Sequence, residues 1–244
     1  MHICIDPGHG GSDRYNRGPT GYIEADGVLD IALRLRYKLQ QAGIKVTMTR
    51  NTDKTVTPVQ RIAIANNSGA DALISIHTNA ATNPQANGVE AFYSLFTTTG
   101  NKLASYLVNQ VSADLKLRNR GIKTRKASNG RDYYYIIRDT SMPAVIIECA
   151  FHTNVREEAL LKQANFRQQL ADSIAKAVFK YFGINELQQP IRPGVKIYYN
   201  GRDITAQVQP QVANNIAKAL IEPLVTVLGH KYTYVSSANR IDIS

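Results

Sequence analysis

The hydrophobic pattern changes period repeatedly along the chain. Residues 2–5 form a short apolar run that ends in Asp-Pro-Gly-His-Gly-Gly, which reads as a strand delivering His9 into a sharp, glycine-rich turn. Over residues 27–42, Val28, Ile31, Ala32, Leu35 and Leu39 recur on one helical face, and Gly43 follows the last of these turns. Residues 44–48 predict a strand, and Pro58 opens a helix reaching about Asn67. The run 72–76 is largely apolar, as befits a strand buried on both faces. Further strands are predicted at 88–94, 134–137 and 144–149, and further helices at 101–116 and 164–182. This alternation predicts an α/β fold, a three-layer sandwich around a mostly parallel twisted sheet. Ligands of such sheets bind at the carboxyl ends of the strands.

The texture changes after this unit. Residues 184–194 are polar with two prolines and read as a linker between a catalytic domain at 1–183 and a small α+β module at 195–244. In the module, "VKIYYNGRDI" reads as strand, Asn-Gly turn and strand, and "KYTYVS" and "RIDIS" suggest further short strands. The segment "NNIAKALIEP" and a short element near 224–228 lie between them. About 50 residues is marginal for independent stability.

Composition narrows the picture. A 244-residue chain that is 43% hydrophobic can bury a real core. It has no run of eighteen apolar residues, so no transmembrane segment is expected. The first strand starts at residue 2 with no basic, apolar leader before it, so synthesis in the cytoplasm without a signal peptide is expected. Cys4 and Cys149 both sit in apolar runs and are expected to be buried free thiols. The net charge of +10 comes mainly from the first unit, where 23 Lys/Arg face 15 Asp/Glu before residue 185. Such a surface suits a polyanionic neighbour. The densest stretch, 116–126 with Arg131, carries no nucleic-acid motif and reads as a solvated face, so no specific nucleic acid is expected.

Four polar groups fall at predicted strand or helix ends. His9 follows the first strand, His77 follows the strand 72–76, and Glu148 closes the run Ala-Val-Ile-Ile. Glu24 lies just before the first helix. Each alone has a structural use; Glu24, for instance, suits a helix N-terminus. A carboxylate ending an apolar strand is costly unless it meets a cation or a metal. Two histidines and one carboxylate with an open fourth position form a catalytic zinc shell, and a carboxylate that is not a ligand can then act as general base in amide hydrolysis. No G-x-S-x-G elbow is present, and Cys149 beside Glu148 is the alternative nucleophile.

The segments "IDPGHGGSD", "GYIEAD", "LDIALRLRYKLQQAGIKVTMTR", "QRIAIANNSGADALISIHTNA", "GVEAFYS" and "MPAVIIECAFHTN" together resemble the zinc-dependent N-acetylmuramoyl-L-alanine amidases of the amidase-3 family, in colinear order over about residues 1–182. The resemblance implies cleavage of the amide between N-acetylmuramic acid and L-alanine in peptidoglycan. It also implies one Zn2+ per chain on His9, Glu24 and His77, Glu148 as catalytic glutamate, and Asn79 as a substrate-positioning residue. Ala150 stands where the family usually has Gly. His152 stands where it usually has an apolar residue, and is expected to be an exposed bystander. The short connection from Ala80 to Lys102 implies that the blocking helix of division-associated members is missing.

The tail is similar to the copper-amine-oxidase-N-like modules of bacterial surface proteins, although His230 is its only histidine. That similarity implies wall binding or a homodimer through the module, while the basic surface suits anionic wall polymers. The whole then reads as an endolysin or a mother-cell autolysin acting on the wall after release or lysis. A non-catalytic wall-binding protein and a stem-peptide zinc peptidase of the same fold are the alternatives. A pure binder has no physical reason to keep all four polar groups.

Overall fold

The computed structural model describes residues 1–184 and four strand segments beyond them, Lys196–Tyr199, Arg202–Asp203, Tyr232–Val235 and Arg240–Ile243. The first unit is organised by strand parity. Strands β1 (His2–Pro7), β3 (Ala72–Asn79) and β6 (Ala144–Phe151) are apolar on both faces. Ile3, Ile5, Ile74, Ile76, Val145, Ile147 and Cys149 point into one core. There they meet helices α1 (Glu24–Gln41), α3 (Thr99–Leu115) and α6 (Ala164–Phe182). Cys4, Leu73, Ala144 and Ile146 point the other way, onto Ala65 of α2 (Pro58–Ser68) and Ile136 and Ile137 of the short helix α4 (Tyr135–Arg138). Two covered faces explain why these strands read as continuous apolar runs.

With β2 (Lys45–Met48), β4 (Val89–Phe92) and β5 (Asn119–Lys123), the sheet has the order β2-β1-β3-β6-β4-β5. Only the β4–β6 pair is antiparallel. The α/β sandwich and the mostly parallel sheet are as the sequence predicts.

Several elements differ from the prediction. Residues 134–137 are not a strand, since Tyr135–Arg138 form a helical turn. A four-residue apolar run does not distinguish the two, and here a turn of helix aims both isoleucines at the same core. The basic stretch at 116–126 is largely solvent-facing, as the sequence reads, and it contains the edge strand β5. The strand beginning at Ala72 continues through His77 to Asn79, and the one beginning at Ala144 continues to Phe151. A short helix, α5 (Val155–Leu161), follows, capped by Asn154, whose side chain accepts from the Arg156 and Glu157 amides.

The chain divides into two compact units, Met1–Glu186 and Leu187–Ser244. In the second unit, β7 (Lys196–Tyr199), β8 (Arg202–Asp203), β9 (Tyr232–Val235) and β10 (Arg240–Ile243) form a sheet of order β8-β7-β10-β9. The expected linker from residue 185 on, the segment "NNIAKALIEP" and the element near 224–228 lie outside the described residues. Both cysteines are buried and free.

One buried ion pair ties the sheet to α2. Asp6 Oδ1 accepts from Thr49 Oγ1 and from Arg61 Nη1, both at 2.6 Å, and Oδ2 accepts from Ser75 Oγ at 2.7 Å. Burial opposes the charge on Asp6, but Arg61, Thr49 and Ser75 together hold its carboxyl below the usual carboxylate range. The stabilisation is therefore complete above the unfolded value of about 4 and is lost as pH falls through the depressed folded value. Asp6→Asn is expected to lower the unfolding free energy by about 3–5 kcal/mol at neutral pH, because it leaves Arg61 buried without its charge partner. Urea denaturation measures this, and the deficit against the unmodified chain should shrink below about pH 4. Equal stability at neutral pH would remove Asp6 from this role.

Candidate metal centre and active site

The site lies at the carboxyl ends of β1, β3 and β6. After Pro7 the chain turns through Gly8, and His9 adopts a left-handed backbone with φ 58°. That conformation is uncommon outside glycine and marks a loop held from outside. Gly8 is required by close approach, since a Cβ there would run into the His77 ring. The two imidazoles meet edge to face, with centroids 5.0 Å apart.

Glu24 is the first residue of α1, and its side chain is only 1% exposed. Its Oε1 faces His77 Nδ1 at 3.0 Å and accepts from the Thr78 amide at 2.9 Å. Its Oε2 lies 3.3 Å from His9 Nε2 and accepts from Asn16 Nδ2 at 2.9 Å. Asn16 Nδ2 also approaches His9 Nε2 at 3.0 Å. The other nitrogen of His9, Nδ1, is 2.9 Å from Asp13 Oδ2. A carboxylate behind one imidazole nitrogen is a common way to aim the other at a metal.

The loop leading to Glu24 is pinned from α5. The Glu158 carboxylate accepts from the Thr20 and Tyr22 amides, and Lys162 Nζ donates to the Thr20 carbonyl.

One donor atom from each of His9, Glu24 and His77 lies within 4.8 Å of the other two. Two imidazoles, one buried carboxylate and a carboxylate behind His9 fit a divalent zinc-type ion. Burial opposes a charged His9, but Glu24 and Asp13 outweigh it and raise its pKa to about 9. Burial likewise opposes charge on His77, while Glu24 and Glu148 raise its pKa. The same histidines hold Glu24 well below the usual carboxylate range, against the effect of its burial.

Glu148 is the cross-strand neighbour of His77 on β3 and of Glu90 on β4. Its Oε2 is buried with no hydrogen-bond partner among the described residues. Burial pushes the carboxyl up to about 7; His77 works against the shift, while Glu24 and Glu90 add to it. Glu90 has a different environment, with its Oε2 accepting from Arg120 Nε at 2.6 Å and Lys123 Nζ at 2.5 Å. Asn79 is half-buried at the end of β3. Its Nδ2 donates to Glu90 Oε1 at 2.9 Å, and its Oδ1 accepts from the Ala80 amide at 2.8 Å.

His152 is not an exposed bystander. It is 1% exposed, and its Nδ1 lies 3.0 Å from Thr78 Oγ1 and 3.8 Å from Glu24 Oε2. A strand ending at Cys149 would put it in a loop. The strand in fact runs on to Phe151, and the His152 amide still bonds the Asn79 carbonyl, which keeps the side chain inside. Between β3 and α3 the chain contains loop and β4 only.

Comparison with known proteins identifies the family of the first unit. The family described as N-acetylmuramoyl-L-alanine amidase matches residues 3–180. The amidase LytC of Bacillus subtilis is 34% identical over 182 residues, covering 74% of this chain but 35% of LytC. The chain thus spans about a third of that relative's length. The germination-specific N-acetylmuramoyl-L-alanine amidase of the same organism is 32% identical over 196 residues, covering 74% of this chain and 79% of that protein. The crystal structure of an N-acetylmuramoyl-L-alanine amidase from Clostridium difficile 630 superposes with a TM-score of 0.69 at 36% identity, covering 75% of this chain and 97% of that one. A domain of shared sequence, shared sheet and converging His-Glu-His donors leads to one assignment: the chain belongs to the amidase-3 family of N-acetylmuramoyl-L-alanine amidases.

Proposed function

We propose that the chain hydrolyses the amide between N-acetylmuramic acid and L-alanine in peptidoglycan, with one zinc ion on His9, Glu24 and His77 and with Glu148 as general base. The observation that carries this reading is a buried carboxylate oxygen without a partner, Glu148 Oε2, set one strand away from a His-Glu-His donor set. Bound there, zinc would polarise the scissile carbonyl and lower the pKa of water toward neutrality. Glu148 Oε2 takes the proton of the attacking water and returns it to the leaving L-alanine amine. Asp13 orients His9 through Nδ1, while Asn16, Thr78 and His152 confine Glu24. Asn79 is assigned to substrate positioning, because it stands two residues after His77 at the carboxyl end of β3.

The tail is read as a wall-binding module at 195–244 joined by a linker at 184–194, with the basic surface favouring anionic wall polymers. A homodimer through the same module is the second reading, since short edge strands can pair between chains. An enzyme of this kind would serve as an endolysin or an autolysin.

Protein purified without added metal should contain about one zinc per chain by elemental analysis. Digestion of purified walls should release L-alanine amino termini and free lactyl-muramic acid, read by mass spectrometry. Cuts only within the stem peptide would favour the peptidase alternative instead.

Glu148→Gln keeps the shape of the side chain but cannot accept a proton. Wall lysis should fall by about 10²–10⁴ while zinc content and circular dichroism stay unchanged. An undiminished rate would transfer the base role to another group.

Removing the residues after Leu187 should leave a folded, zinc-loaded domain, because all four site residues and α6 precede that point. Small muramyl-peptides should be cleaved as before, and whole walls more slowly, because a tethered binder raises the local substrate concentration. Sedimentation of both chains and a wall pull-down with the isolated tail separate wall binding from dimerisation. A tail that does neither would overturn both readings.

A further inference from the structure

Two arginines lie under the site with their guanidinium groups turned toward main-chain oxygens. Arg50 follows β2 and is 1% exposed; Arg61 is on α2 and is 4% exposed. Arg61 has Asp6 as its counterion. Among the described residues Arg50 is in no ion pair with a carboxylate, and its hydrogen bonds all go to backbone carbonyls. Its Nε donates to Pro7 at 3.0 Å, Nη1 to Thr52 at 3.2 Å, and Nη2 to both Gly8 at 2.7 Å and Ala25 at 2.8 Å. Arg61 completes the grip, with Nη1 donating to the Pro7 carbonyl at 2.7 Å and Nη2 to that of His9 at 2.6 Å.

The carbonyls of Pro7, Gly8 and His9 are therefore all held by two buried cations. Gly10 leaves room for the arrangement, because a Cβ there would press on Arg50 Nε and Cζ. Burying a guanidinium without a carboxylate is expensive, so its use needs a reason. The two bonds from Nη2 supply one. Gly8 precedes His9, and Ala25 follows Glu24.

We propose that Arg50 is a positioning residue of the metal centre: by bonding the Gly8 and Ala25 carbonyls from one nitrogen, it fixes the distance between the segments that carry His9 and Glu24 before a metal arrives. The inference rests on the reading of His9, Glu24 and His77 as ligands. The planar fork of Arg serves several oxygens in fixed directions, which an ammonium on a flexible stem does not. Arg61 plays a related part for His9, since its bond to the His9 carbonyl holds that residue in the left-handed conformation. A preformed site avoids ordering two loops during binding, and loss of such supporting contacts typically weakens metal affinity about 10–100-fold.

The test compares the full-length chain with Arg50→Lys and with a remote core variant, Val178→Ala. Zinc affinity is measured by competition with a chromophoric chelator, and the visible spectrum is recorded with cobalt in place of zinc. Thermal stability is followed on the metal-free proteins. Val178→Ala should lose thermal stability and bind zinc as the unmodified chain does. Arg50→Lys should bind zinc about 10–100-fold more weakly and show an altered cobalt spectrum. If Arg50→Lys loses only thermal stability, with affinity and spectrum unchanged, Arg50 is structural and the inference is overturned. If the unmodified chain itself binds no zinc, the ligand reading fails first and the inference with it.

Should Arg50→Lys not fold, side-chain 15N–1H spectra of the metal-free, unmodified protein decide. Resolved, slowly exchanging Arg50 guanidinium protons support a clamp formed in advance of the metal. Averaged, rapidly exchanging ones overturn it.

Discussion

A single buried carboxylate governs the arrangement of this site. Glu24 is almost without solvent exposure at the start of α1. A charge in that position must be met by donors, because its desolvation is not otherwise offset. Its two oxygens collect the Thr78 amide, the Asn16 amide group and the facing nitrogens of His77 and His9. These groups come from three separate stretches of chain, with His77 and Thr78 adjacent at the end of β3. Satisfying Glu24 therefore forces the turn after β1, the loop before α1 and the end of β3 into one place, and the same requirement brings the two imidazoles together. A metal and a pair of imidazolium protons are alternative answers to the same buried charge.

The sheet beneath provides the rigidity that a precise donor set needs. Asp6, Ser75, His77, Glu148 and Glu90 share a face because strand parity places them there, alongside Cys4, Leu73 and Ile146 lower down. Apart from His2 at the start of β1, the face is apolar over most of its length and polar toward the carboxyl ends. The apolar part supplies burial, and the polar part is closed by Arg61 and Arg50 below and by Glu24 above. The helix layer α1, α3 and α6 covers the opposite face and contributes to the site through the first turn of α1.

Much of this was legible in the sequence. The apolar runs around residues 72–76 and 144–149 identify central strands, and the glycines around His9 signal a close approach, which the packing of His77 on Gly8 explains. Parity within a strand also places His77 and Glu148 on the same side as Leu73 and Ile146. Other features depend on tertiary context. The run at 134–137 fits a strand by composition, yet it folds as a turn of helix because both isoleucines have a core to reach in that form. Apolar pattern alone ends the two central strands at Ile76 and Cys149, too early to show that His152 is buried. Arg61 did carry a signal, since it falls on the face of α2 that packs inward with Ala65. A cation on such a face points to a buried partner, here Asp6, though nothing in the sequence names which one.

The row His77, Glu148, Glu90 across three adjacent strands shows how neighbouring acids acquire different properties. Two carboxylates side by side in a poorly solvated row disfavour joint ionisation. Strand β5 resolves this in one direction by placing Arg120 and Lys123 on Glu90, whose carboxyl is held below its ordinary range despite its burial. Among the described residues Glu148 receives no such cation and keeps an unpartnered oxygen. The same basic residues also sit on the edge strand of the sheet, where charge discourages pairing with another chain. A stretch that the sequence offers as an undifferentiated basic surface thus has two physical consequences. It discourages pairing at an exposed sheet edge, and it supplies cations to Glu90 while Glu148, among the described residues, has none.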